Sequence, residues 1–134
     1  VLLVDSSVWI ETFRKPSRLE LASIADLSEV VTCLPIIQEV LQGFRHERAF
    51  RIAREAMWAL PVIESPLHSE VFAEAIRLYR QARRAGLTIR SGVDCLIAVC
   101  AIRHSLVVLH HNRDFEALAK VSPLEAREVL PPGK

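Results

Sequence analysis

The chain opens on an apolar run, VLLV, that stops abruptly at Asp5-Ser6-Ser7, and the same handover from a short aliphatic stretch to a helix start recurs along its length. A run with no polar alternation fits a strand covered on both faces rather than one half exposed. VWIETF after the first run has helical spacing and breaks at Lys15-Pro16, and residues 19–28 read as a second short helix. EVVTC at 29–33 reads as a strand, and IIQEVLQGF follows with Pro35 at a first helical position and Gly43 near its end. Helical spacing returns over 45–60, a third strand is expected at 61–65, and a long amphipathic helix covers 69–84 before Ala85-Gly86. LTIRSG then leads to Val93-Asp94 and the apolar helix CLIAVCAIRH. LVVLH is a fourth strand, HNRDFEALAK holds another short helix, and a last strand is expected near Glu128-Val129-Leu130 before Pro131-Pro132-Gly133 frays. Strands alternating with helices predict the α/β class, a parallel sheet covered on both faces with right-handed crossovers. With 51% hydrophobic residues in 134, one domain over 1–134 has enough apolar material for a core.

The rest of the composition works mainly by exclusion. Cys33, Cys95 and Cys100 are odd in number, lack C-x-x-C spacing and sit among apolar neighbours, which suits buried thiols in a reducing cytoplasm and not a zinc or disulfide framework. The longest apolar stretches are too short to span a bilayer, and Val1 opens without a basic leader, so a cytoplasmic protein with no membrane role is expected. Net charge is only +1, but the arginines recur at helical spacing: Arg45, Arg48, Arg51 and Arg54, then Arg77, Arg80 and Arg84. Each such stripe reads first as a solvated helix face. Arg90, just ahead of Asp94, is the best single candidate for a phosphate contact.

In parallel α/β sheets the functional crevice lies beyond the carboxyl ends of the strands. Asp5 follows the first strand, Glu39 lies one turn into the helix after the second, Asp114 sits in the turn after LVVLH, and Asp94 belongs to a helix start, where free N–H groups favour an anion. Three of the four aspartates thus fall at one edge, Asp26 being the exception. Two unit charges ~4 Å apart repel by about 4 kcal/mol at an effective dielectric near 20. Either one carboxyl stays protonated, or a hard divalent cation binds between them. Oxygen ligands without Cys or His point to Mg²⁺ or Mn²⁺, and such a site is suited to phosphodiester hydrolysis.

Each acid also has a plain structural role open to it. Asp5 could cap the first helix, although Ser6 or Ser7 can do so; Glu39 could face solvent; Asp94 could decorate a helix start capped by Ser91; Asp114 could cap the last helix. Their common edge is the argument for function. His104 and His110 fit a helix end and a strand end, while His111, beside the site, is a candidate for touching substrate. Trp9 and Trp58 are expected to pack rather than stack on bases.

VLLVDSSVWIE, PIIQEVLQGF, RSGVDCLIAVCAIRH and VVLHHNRDFEALA together resemble PIN-domain proteins, specifically VapC-type toxins, over essentially the whole length. The resemblance implies a three-layer α/β/α sandwich, endoribonuclease activity on RNA such as tRNA or rRNA, dimerisation, and a VapB-like antitoxin that offers an Arg to the carboxylates and assembles with the toxin. It gives Asp5, Glu39, Asp94 and Asp114 the family's four acidic places as catalytic residues, with Asp5, Asp94 and Asp114 as ligands of Mg²⁺ or Mn²⁺. Ser7 then supports the site by hydrogen bonding, while Arg90 and His111 stand, from their positions in the chain, as the candidates for meeting substrate. Asn112 stands where many relatives carry an acid; its amide can ligate but brings no charge. That departure keeps open a non-catalytic PIN-like module that only binds RNA or an antitoxin. A haloacid-dehalogenase-type phosphatase would need an acid at position 7, where this chain has Ser7.

Overall fold

The computed structural model describes residues 1–14, 16–17 and 19–129. Five parallel strands, β1 (Leu2–Val4), β2 (Val30–Cys33), β3 (Val62–Ile63), β4 (Val107–His110) and β5 (Glu125–Glu128), form one sheet in the order β3-β2-β1-β4-β5. Six helices connect them: α1 (Ser6–Phe13), α2 (Leu34–Leu41), α3 (Glu47–Trp58), α4 (Ser69–Arg84), α5 (Gly92–Arg103) and α6 (Asp114–Ala119). The chain steps outward from β1 to β3, then crosses back to β4 and β5. Right-handed crossovers in opposite directions put helices on opposite faces, which gives the expected α/β/α sandwich. In agreement, α2 packs on α1 and α3, while α4, α5 and α6 pack on one another.

The central strands are buried because both faces carry helices. Leu3, Val4, Cys33 and Val108 are fully inaccessible, and Val30, Val31 and Leu109 nearly so. Val71, Ala75, Leu78 and Ala82 supply the buried stripe of α4 at helical spacing, whereas α5 is apolar nearly all round and runs through the interior. The α4 helix ends in a Schellman turn: Gly86 takes φ 80°, its N–H donates to the Arg83 carbonyl, and the Leu87 N–H donates to that of Ala82. Cys33, Cys95 and Cys100 are all buried free thiols.

Three expectations fail, each for a local reason. Residues 19–28 form no α-helix but two single 3₁₀ turns, Leu21–Ser23 and Leu27–Glu29. Here polar side chains compete for the backbone: the Ser23 hydroxyl donates to the Glu20 carbonyl, and Asp26 accepts from the N–H and hydroxyl of Ser28. The last strand lies at Glu125–Glu128, ahead of the expected position, because it is an edge strand whose Glu125, Arg127 and Glu128 face solvent or lie near it and leave no apolar signature. Leu130 and the fraying expected at Pro131-Pro132-Gly133 lie outside the described residues, as does Lys15 of the Lys15-Pro16 break. Trp58 does not pack: it ends α3 at 53% exposed, next to buried Met57 and on the solvent side of the helix.

Phe115, fully buried on α6 with its ring 5.4 Å from that of His110, backs the loop that carries Asn112 and Asp114. Phe115→Ala is expected to lower stability in urea denaturation by about 3–5 kcal/mol, whereas Phe72→Ala, on the exposed face of α4, should change it by no more than about 0.5 kcal/mol.

Candidate active site

The crossover reversal leaves a crevice beyond the carboxyl ends of β1 and β4, at whose base the Asp5 N–H continues the β1–β4 ladder by donating to the Leu109 carbonyl at 2.9 Å. Asp5 leaves β1 with φ −68° and ψ 157° and is itself the N-cap of α1. The expectation that Ser6 or Ser7 would cap this helix is therefore replaced. Ser7 contributes differently, since its N–H (3.0 Å) and its hydroxyl (2.6 Å) both donate to Asp5 Oδ2. Asp5 Oδ1, equally buried, has no hydrogen-bond partner among the described residues. One oxygen is consumed in holding the helix and the other is left open.

Glu39 reaches the same point from the second turn of α2, where Ser6 Oγ donates to its Oε1 at 2.9 Å. Asp94 arrives from the first turn of α5, and Asn112 Nδ2 donates to its Oδ2 at 2.9 Å. Ligand oxygens of Asp5, Glu39 and Asp94 lie within 4.8 Å of one another, with Asp5 and Asp94 buried and Glu39 partly so. Asp114 adjoins Asp94 but is not in that group; its Oδ2 accepts the Arg90 N–H at 3.0 Å, and its Oδ1 lies 3.6 Å from Arg90 Nε. Of the residues expected to ligate a cation, the geometry thus groups Asp5 and Asp94, adds Glu39, and holds Asp114 against Arg90. The Arg90 side chain remains 56% exposed at the rim.

Burial and crowding favour neutral carboxyls. Asp5 is raised from the ordinary carboxylate range chiefly by burial, against the pull of its Ser7 hydrogen bonds. Glu39 is raised mainly by burial, with Asp5 adding repulsion. Asp94 is pushed up to about 8, first by burial, then by a hydrogen bond to Asp114 and the charge of Asp5, while the Asn112 amide pulls it back. Without a counter-charge, the cluster holds protons that solvent-exposed carboxyls would release. A buried open oxygen on Asp5, inside an all-oxygen donor set, fits a hard divalent cation.

Two supporting residues escaped the sequence reading. Ser6 was assigned only to capping, yet it anchors Glu39 from the other side of the cluster; the paired serines after Asp5 are the sole sequence signal, since one hydroxyl suffices for a cap. His110, fully buried, accepts the Asn112 N–H at Nδ1 (3.2 Å) and meets Glu116 through Nε2 (2.8 Å), which fixes the turn bearing Asn112 and Asp114. The neighbouring His111 N–H donates to Ser7 Oγ at 2.9 Å, tying the end of β4 to the start of α1.

The PIN domain family matches residues 2–121. Ribonuclease VapC11 of Mycobacterium tuberculosis is 33% identical over 131 residues, covering 94% of this chain and 97% of that protein. Ribonuclease VapC51 of the same species is 30% identical over 132 residues, covering 98% and 94%. Among solved structures, VapBC2 from Rickettsia felis bound to a promoter DNA fragment superposes with a TM-score of 0.76 at 13% identity, covering 96% of this chain and 98% of that one. DNA-bound VapBC from Salmonella typhimurium gives 0.74 at 17% identity, covering 95% and 96%. At those identities the structures speak for the fold, and the two ribonucleases speak for the family. The resemblance read from four sequence segments therefore holds over nearly the whole length: the chain belongs to the PIN-domain family, in its VapC branch.

Proposed function

We propose that this chain is a divalent-metal-dependent endoribonuclease and the toxin of a toxin–antitoxin pair. The observation that carries the proposal is the convergence of Asp5, Glu39 and Asp94 within 4.8 Å around an open, buried carboxylate oxygen. The names of the VapC relatives support ribonuclease activity. The VapBC complexes among the structural neighbours support a VapB-like antitoxin as partner. A homodimer, a cytoplasmic setting, and tRNA or rRNA as substrate complete the reading; no helix among the described residues is long and apolar enough to cross a membrane.

Asp5, Glu39 and Asp94 would hold Mg²⁺ or Mn²⁺, with Asp114 as the fourth acid of the site. Bound there, the cation would neutralise charge on a phosphoryl group and acidify water for attack. The chain itself supplies orientation. Ser7 secures Asp5 through one oxygen so that the other stays available, while Ser6 and Asn112 hold Glu39 and Asp94 in place. The Arg90 main chain steadies Asp114, and its exposed guanidinium is our choice for a phosphate contact; His111, whose main chain is tied to Ser7, is our second candidate for touching substrate.

The decisive assay is cleavage of total cellular RNA by purified, antitoxin-free protein with Mg²⁺ or Mn²⁺. Discrete fragments are expected, abolished by EDTA and reduced by on the order of a hundredfold or more in Asp94→Asn. Intact RNA from folded, metal-loaded protein would sink the enzyme and favour a binding module.

The raised pKa of Asp94 makes a second, independent prediction. In metal-free protein the unfolded chain ionises Asp94 near its ordinary value of 3.8, whereas the folded chain keeps the proton until about pH 8. The stability that this proton contributes is complete below the lower value and is lost as pH rises through the upper one. Asp94→Asn cannot ionise, so in EDTA its melting temperature should climb relative to the parent between about pH 4 and about pH 9. Added Mn²⁺ should then favour the parent. A gap that stays constant with pH would show that Asp94 is ionised in the folded protein throughout.

A further inference from the structure

We propose that the C-terminal half of α4 is a docking site for the RNA backbone, with Arg80, Arg83 and Arg84 meeting phosphates and guiding the strand toward the acidic centre. The proposal rests on the ribonuclease reading above and concerns how that substrate is held.

Charge is segregated along this helix. Glu70 and Glu74 stand in its first half, and both are engaged, together with Glu64, by the single guanidinium of Arg103 on α5. From residue 75 to residue 93 the chain carries five arginines, at 77, 80, 83, 84 and 90, and no acid. Arg80, Arg83 and Arg84 are exposed, and among the described residues none has a carboxylate within ion-pair distance. Together they line a cavity of about 300 Å³, with no other described residue on its wall. Arg83 lies over the Tyr79 ring at 6.0 Å, a contact that occupies its face and leaves its N–H edges free to donate.

The chain itself leads from this patch to the acidic site, where the Arg90 N–H meets Asp114. Arg80 also lines a second groove, between α4 and α5, whose far wall includes Gly92 and Cys95, the latter adjacent in sequence to Asp94. The connecting chain is fixed as well: the turn at Gly86 reverses it, Ile89 is buried, and the Arg90 N–H binds Asp114. The helix dipole accounts for cations in the last turn, Arg83 and Arg84. It does not account for Arg77 and Arg80 further back, or for the missing acids. Three like charges around one hollow call for an anion, and planar guanidiniums match phosphate oxygens two at a time. A polyanion whose scissile bond must reach the Asp5–Asp94 cluster is the occupant that the charge and the path both suit.

The test is binding of a labelled RNA to the full chain, with Asp94→Asn in every protein and EDTA present so that no turnover intervenes. The affinity is read across a salt series, with and without Arg80→Ala, Arg83→Ala and Arg84→Ala combined. Loss of three phosphate contacts should make the log–log salt slope shallower by about 2–3 and weaken binding at low salt by on the order of tenfold or more. Replacement of the same three by Lys should retain the slope, and far-UV spectra and melting temperature should match the parent. Unchanged slope and affinity in the triple Ala protein would overturn the proposal, as would a parent that fails to bind RNA at low salt. Loss of poly-glutamate binding with RNA binding intact would overturn it in favour of an acidic protein segment. The two readings fail separately: RNA bound through these arginines but never cut sinks the ribonuclease, and RNA cut with the salt slope unchanged sinks the docking site.

Discussion

Repulsion among three converging carboxylates is the constraint around which this fold is arranged. Asp5, Glu39 and Asp94 are brought together from three separate elements, two of them out of contact with water, against electrostatics that would disperse them. Their positions survive because the packing behind each is independent of the site. Asp5 ends a strand whose Leu3 and Val4 are fully buried, Glu39 rides on α2 beside buried Ile36, Ile37 and Val40, and Asp94 opens α5 above Ile97 and Ala98. The apolar core thus supplies the free energy that a cluster of like charges consumes.

Donor groups then decide which oxygen of each acid is tied and which is open. Asp5 shows the division most clearly, since Ser7 takes one oxygen and nothing among the described residues takes the other. Ser7 also accepts from the His111 main chain, so β1 and β4 are joined at the point where the crossover direction reverses. Buried His110 extends the same order one layer back, through Asn112 to Asp94 and through Glu116 to α6. Asn112 occupies this relay as a donor, a role that an acid at the same position would not fill while ionised.

The arginines show how differently one residue type is used when its carboxylate neighbours differ. Arg103 is enclosed by three glutamates and neutralises one end of α4, whereas the other end presents guanidiniums without acids. Arg90 stands between these cases, with its main chain committed to Asp114 and its side chain at the rim. The near-neutral net charge conceals this separation completely.

Much of the architecture was legible in the sequence because it depends on local pattern. Uninterrupted aliphatic runs announced the buried central strands, the 3.6-residue spacing of Val71, Ala75, Leu78 and Ala82 announced α4, and acids placed after successive strands marked one edge of the sheet. Where local pattern was weak or ambiguous it misled: polar side chains broke 19–28 into 3₁₀ turns, and a polar edge strand was expected a few residues beyond its actual place. The finer design of the site was beyond its reach, because burial and hydrogen-bond choice depend on residues far apart in the chain. That Asp5 caps its own helix, that Glu39 joins Asp5 and Asp94 while Asp114 turns to Arg90, and that Ser6 reaches across to Glu39 are outcomes of three elements meeting at one point. The sequence by itself determined which residues could carry charge to that edge, since strand ends and helix starts are set by neighbours a few positions away. Only the tertiary structure decided which charges would face one another, because desolvation and Coulomb repulsion act through space rather than along the chain.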